Sequence, residues 1–303
     1  MHTNTIDPNR RLIVPGYDLA VAYRIYPQVA KPAIGLPFSG DKLELSEICL
    51  RSFKQSLGSL KVKLWVLLDR CPNEYTQLFR KYFDDEDLVL ISLRNLGNRA
   101  TFDKQIELLL QQHDSEVVYF AEDDYFYLPG QFSCMIDFLL KHEDVHFISP
   151  YDHLDCYKLE LHHQPKWLKV HGGRHWRTAA STCLTFLTRK DTLRKTAAIF
   201  RSYNRGSCDC SLWLGLTKGR VFSPRFFFGH LRRPPRSSKF IIKAWFYHWY
   251  QILFGKKWML WVPIPGVATH LNNQALSPNV DWRELMRQTK SQMVEEVPVV
   301  KHN

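Results

Sequence analysis

The run Val117-Val118-Tyr119-Phe120-Ala121-Glu122-Asp123-Asp124-Tyr125 leads four apolar or aromatic residues and an alanine into three consecutive carboxylates. Like charges this close repel one another, at a cost that an apolar setting raises unless a cation neutralises them. A divalent metal is the direct remedy. Oxygen ligands suit Mg2+ or Mn2+, ions that keep waters and reach substrate phosphates through one or two carboxylates. For an isolated Asp-Asp pair the plainer reading is a capped turn with solvated charges. At the end of a buried strand the metal reading gains ground.

The segments around the cluster supply that strand. DLAVAYRIYP (Asp18 to Pro27) and KVKLWVLLD (Lys61 to Asp69) read as strands, and between them Leu45, Ile48, Cys49, Phe53 and Leu57 share one helical face. The pattern repeats: a helix in NEYTQLFRKYF, a strand from Leu88 to Leu93, a helix opening at Thr101, and the strand EVVYFA. Short apolar strands alternating with longer helices predict an α/β fold, a mainly parallel sheet with helices on both faces. Ligands in such sheets sit at the carboxyl ends of strands, where Asp69 and the Glu122 cluster fall. Beyond Pro129 the chain predicts a helix from Gln131 to His142, a strand from Val145 to Ser149, and a long loop from Pro150 to Thr178 rich in His, Trp and Asp. A strand in STCLTFLT and a helix from Asp191 follow, then GSCDCSLWLGLT and the basic loop RFFFGHLRRPPRSSK.

Composition bounds the function. With 303 residues, 45% hydrophobic and 14% aromatic, the chain is globular, and its formal charge of +11 favours polyanionic company. Seven scattered cysteines form no C-x-x-C pair, so neither a disulfide framework nor a zinc knuckle is indicated. The polar stretch from Met1 to Arg11 lacks the apolar core of a signal peptide, and the expected location is cytoplasmic. Residues 240–265 are strongly apolar but broken by Lys243, His248, Gln251 and Lys256-Lys257. Their longest uncharged run falls short of the ~20 residues a spanning helix needs.

The ordered series of a first strand ending near Tyr26, Asp69 at a strand end, NLGNRATFDKQ, AEDDY, CDCSLW and PGVATH resembles nucleotide-sugar glycosyltransferases of the GT-A fold, family 2 type, from about Asp18 to Trp282. The resemblance implies one domain over 1–303, with a nucleotide-sugar-binding half at about 18–128 and an acceptor and catalytic half at about 129–282. It implies that Asp69 accepts a hydrogen bond from the base, that Gly97, Asn98 and Lys104 approach base and phosphates, that Asp123 binds ribose, and that Glu122 faces the donor sugar. Asp124 would ligate Mn2+ or Mg2+ with His270 completing the shell, and Asp209 would be the base of an inverting transfer, although Cys208-Asp209-Cys210 stands where the family often has paired acids. Asp152 and Asp155 are rivals for that role or acceptor ligands. Trp176 would stack on a sugar, with Arg174 or Arg177 on phosphate; a Gly-Gly turn with solvated charges is the even alternative. As structural readings, Asp209 is a helix cap and His270 a hydrogen-bonding group.

The implied partners are a UDP- or GDP-sugar donor and a saccharide or lipid-linked acceptor, as in polysaccharide or glycolipid assembly. Segment 232–262 joins Arg232, Arg233 and Arg236 to Trp245, Phe246, Tyr247, Trp249 and Tyr250, a composition suited to the inner face of an anionic membrane or, equally, to a buried helix. Two other functions compete: a nucleotidyltransferase of related fold, whose Gly- and Lys-rich loop after the first strand is missing, and a basic nucleic-acid-binding protein, for which no motif is present and which leaves the carboxylates unexplained.

Overall fold

The computed structural model describes residues 16–28, 41–223, 238–271 and 275–295. Most of the basic loop, including Arg232, Arg233 and Arg236, lies outside them, as does the segment 29–40 after the first strand.

The expected alternation is present from the start: β1 (Leu19–Ile25), α1 (Lys42–Leu57), β2 (Val62–Asp69), α2 (Asn73–Tyr82), β3 (Leu88–Leu93), α3 (Asn98–Gln111) and β4 (Val117–Glu122). Along β1, Leu19, Val21, Tyr23 and Ile25 enter one core with α1, α2 and the helix Phe132–Lys141, while Ala20 and Ala22 enter the other with Phe102, Ile106 and Leu109 of α3. That period-two division is why every β1 residue is buried and why the segment reads as apolar throughout. Helices therefore cover both faces.

After β4 the chain turns at Asp123-Asp124 into the three-residue β5 (Tyr125–Tyr127), then α4 (Phe132–Lys141) and β6 (Phe147–Ile148). The segment read as one long loop holds a short helix α5 (Asp155–Lys158), a 3-10 turn, and a hairpin of β7 (Leu168–His171) and β8 (Arg174–Ala179). Gly172 and Gly173 form its turn at φ +58° and +71°, left-handed values that only glycine adopts freely. Next come β9 (Phe186–Arg189), α6 (Lys190–Arg201), α7 (Asp209–Thr217), α8 (Ser238–Phe254), β10 (Leu260–Ile264), β11 (Ala268–His270) and α9 (Trp282–Glu295).

Nine strands form one sheet in the order β3-β2-β1-β4-β9-β6-β10-β8-β7. β3, β2, β1 and β4 are mutually parallel, and only β9 and β8 oppose the common direction. β5 and β11 make a separate antiparallel ladder that pairs His270 with Tyr125. Successive strands β1, β2 and β3 build outward on one side of β1, and β4 joins on the other. The chain reverses direction across the sheet between β1 and β4, which makes their carboxyl ends a topological switch point.

Candidate active site at the switch point

Arg24 and Glu122 are partners in the β1–β4 register at that crevice. β1 is apolar up to Tyr23, and its even-numbered positions face α3; Arg24 continues on that side, with its guanidinium 5.6 Å from the Phe102 ring. It donates to Glu122 Oε1 and to the side chain of Asn98, and reaches the Asn98 carbonyl oxygen at 3.0 Å. Thr185 donates to the other Glu122 oxygen at 2.6 Å. The predicted donor-sugar residue is thus held by a buried cation that ties β4 to the start of α3. Arg24 was missed from the sequence; a lone arginine inside an otherwise apolar strand was the available signal.

The other two carboxylates part company. Asp123 pairs with Lys42 at 2.7 Å and accepts from the Tyr26 amide at 3.3 Å. Burial raises its carboxyl while Lys42 opposes the rise, and Asp124 adds to it. Asp124 turns the other way, to His270, with Oδ2 2.8 Å from Nε2. Its Oδ1 is buried and finds no hydrogen-bond partner among the described residues. Burial alone would lift the Asp124 carboxyl, but His270 outweighs it and holds the group down at about 2. Conversely, burial would depress His270, and Asp124 carries it up to about 9. The β5–β11 ladder makes this pair, since Leu271 also donates its amide to the Asp124 carbonyl at 2.8 Å.

Asp209 opens α7, one residue inside the cap. Cys208 is the N-cap, with Ser211 completing a capping box, so Asp209 is the acidic residue of the first turn. Its carboxyl is raised first by burial, against the Cys210 amide that donates to Oδ1 at 2.8 Å, and further by the charge of Glu122. The Cys183 thiol, pushed well up by burial, also feels the charges of Asp209, Glu122 and Asp124. Burial lowers His153, which also senses Asp155, His270 and Asp209. Nothing in the spacing of the sequence marks His153.

The remaining predicted residues take other tasks. Asp69 is buried, and its two oxygens accept the amides of Leu96 and Gly97, each at 2.8 Å, which clamps the loop into α3. Gly97 caps that helix at φ +80°. Lys104 pairs along α3 with Glu107 at 2.9 Å rather than with the carboxylates. Two residues expected on the acceptor side, Trp176 and Asp152, and the two arginines expected on donor phosphate are already engaged within the protein. Trp176 is 1% exposed, stacked on Phe138 at 4.3 Å, and its indole donates to the His171 carbonyl, so no face is free for a sugar. Asp152 is sealed beside Arg177 and accepts from the Tyr157 hydroxyl, which removes both Asp152 and Arg177 from solvent-facing roles. Arg174 spends its guanidinium on the Pro265 carbonyl and Gln131. Asp155 stays half-exposed at the start of α5, 3.7 Å from the His153 ring.

Among the described residues no set of three or more His, Cys, Asp or Glu side chains is placed to grip a metal unaided. Asp124 and His270 offer an oxygen and an imidazole. A Mg2+- or Mn2+-sized ion fits such a donor set when phosphate oxygens and water supply the rest, and the partnerless Asp124 Oδ1 is the atom that ion would satisfy.

No family model and no curated protein matches the chain. Solved structures similar to it include residues 1–349 of TarS from S. aureus, at 12% identity over 78% of this chain and 81% of that one, TM-score 0.44. The galactosyltransferase LgtC, in complex with donor and acceptor sugar analogues, is 10% identical over 90% of this chain and 95% of that one, TM-score 0.44. A cytidylyltransferase from Leptospira borgpetersenii is 12% identical at TM-score 0.34, over 61% of this chain, which spans 64% of that one's length. Likenesses this loose carry no argument about fold or residue roles; the α/β architecture rests on the chain's own strand order.

Proposed function

We propose that the chain is a glycosyltransferase that moves a sugar from a nucleoside-diphosphate donor to a hydroxyl acceptor, with a divalent cation held by Asp124 and His270. The observation that carries this reading is the buried, partnerless Asp124 Oδ1 at the switch point between β1 and β4. A cation there would draw its further ligands from a diphosphate, and its charge would stabilise the departing nucleoside diphosphate. The chain's own residues do the rest. Arg24 holds Glu122 against the sugar side of the crevice, Asp69 fixes the Gly97 turn for close approach of base or phosphate, and Asp123, braced by Lys42, lines the ribose side. Asp209 takes the proton of the acceptor hydroxyl as its oxygen bonds to the anomeric carbon and the bond to diphosphate breaks, with inversion. A carboxyl raised by burial is a stronger base than a free one, which suits that task. The acceptor is a saccharide or a lipid-linked sugar.

The test is thermal denaturation with UDP or GDP, with and without Mn2+. Nucleotide and metal together are expected to raise Tm by roughly 5 °C at saturating ligand, more than either alone, and Asp124→Ala to abolish the joint effect. Equal stabilisation without metal, or in the Asp124→Ala protein, overturns the reading. Release of pyrophosphate from CTP and a sugar phosphate would replace it with nucleotidyl transfer.

A further inference from the structure

α8, which is kinked at His248 (φ −129°, ψ 18°), buries Ile241, Ala244, His248 and Ile252 against α7 and its surroundings. His248 anchors the contact, its ring nitrogen 3.2 Å from Ser207 Oγ and its side chain against Gly215 of α7. The opposite face is also apolar: Ile242, Phe246, Trp249, Tyr250, Leu253 and Phe254 are all exposed, Phe246 at 76%. A water-facing helix surface made of six large apolar side chains marks an interaction site. The helix is therefore neither wholly buried nor wholly solvated, with one face packed inward and the other left open.

Charge decides what covers the open face. Exposed Lys239 stands at the helix start, and exposed Lys256 and Lys257 at its end. From Cys210 to Val280 the sequence has ten Lys and Arg and not one Asp or Glu, whereas the rest of the chain is nearly balanced. A second copy docking by this surface would meet the same positive charges of Lys239, Lys256 and Lys257. An anionic bilayer offers complementary headgroups to the lysines and an interfacial zone suited to Trp and Tyr, whose rings sit at headgroup level. No helix among the described residues is long and apolar enough to cross a membrane, so the contact is one of lying on the surface.

We propose that the outer face of α8 docks the protein on an anionic lipid surface, with Phe246, Trp249, Tyr250 and Phe254 entering the interface and Lys239, Lys256 and Lys257 meeting the headgroups. Docking requires no catalysis and is read separately from the nucleotide test. α8 rests on α7, whose first residue is Asp209, so the docked face lies one helix layer away from the proposed base.

The experiment is sedimentation of the full chain with sucrose-loaded vesicles of phosphatidylcholine alone or mixed with phosphatidylglycerol, at low and high salt. Binding is expected to the mixed vesicles only and to weaken with salt. The Phe246→Ser, Trp249→Ser double variant is expected to lose at least about tenfold in affinity, and each of Lys256→Ala and Lys257→Ala about fivefold. Far-UV circular dichroism should be unchanged, since every substituted side chain is exposed. Equal binding to both vesicle types, binding to neither, or wild-type binding by the double serine variant overturns the proposal. A dimer in light scattering that the double serine variant dissolves, without lipid binding, assigns the face to a second copy instead.

Discussion

Two aspartates in the molecule each face a basic side chain, and they have opposite fates. Asp152 and Arg177 leave only 1% and 3% of their side chains exposed, and Tyr157 takes up the second carboxylate oxygen. Asp124 and His270 keep 39% and 29% exposed, and the second Asp124 oxygen has no partner among the described residues. A pair sealed from solvent with both carboxylate oxygens engaged, its unpartnered buried atom being the Arg177 Nε donor, is a brace: breaking it strands a charge, and nothing outside can compete for it. A half-open pair with one orphaned oxygen is, under the proposed function, the socket a cation would fill. Both pairs set an aspartate against a base, so the difference lies in solvent access and in whether the carboxylate itself keeps an unsatisfied oxygen.

The comparison can be broken at four points. The largest effect is expected at Asp209: Asp209→Asn should reduce kcat by about 10²- to 10⁴-fold, the range for a lost general base, while nucleotide binding by calorimetry stays as in the wild type. Near-normal turnover would move the base to Asp155, the remaining exposed rival. Next, Arg177→Met should destabilise the fold by about 3–5 kcal/mol, read as a fall in the urea midpoint, because the Asp152 carboxylate would be left buried alone. If instead stability held and acceptor KM rose, the brace would have to be redrawn as a binding residue. Trp176→Ala should likewise cost about 3–5 kcal/mol in stability without a selective effect on acceptor KM.

The smallest effect concerns pH in the metal-free protein. His270 titrates higher in the folded chain, at about 9, than the usual imidazole value near 6.5. Its stabilising contribution is therefore complete below about pH 6.5 and is lost as pH rises towards 9. Because both side chains are partly exposed, solvent screening limits the loss to about 1 kcal/mol, measurable as a gradual decline in Tm between those limits that His270→Gln should flatten. Metal and proton compete for His270, so Mn2+ affinity should climb over the same interval. A flat Tm profile with pH-independent metal binding would detach His270 from the socket.

Legibility along the chain followed the range of the contacts involved. β1 through β4 and the helices between them are each declared by an unbroken local run, six to eight residues for a strand and ten to sixteen for a helix, and the predicted boundaries fall close to the observed ones. The hairpin of β7 and β8 lies hidden in what reads as loop, because His, Arg and Lys interrupt its alternation. Arg24 and Lys42 were passed over because a single charge carries no periodicity. His153 was passed over because its neighbours, Asp209 and His270, are far away in the sequence.

The sequence by itself determined the α/β alternation, the placing of the carboxylates at a strand end, and the basic, aromatic character of the α8 segment, all properties of local runs whose side chains must be buried or solvated in step with a helix or strand period. Only the tertiary structure decided which partner each carboxylate takes. The division of Glu122, Asp123 and Asp124 among Arg24, Lys42 and His270, and the sealing of Asp152 and Trp176, depend on partners brought together by strand order and by the β5–β11 ladder. Burial and electrostatic pairing act through space, so separation along the chain carries no record of them.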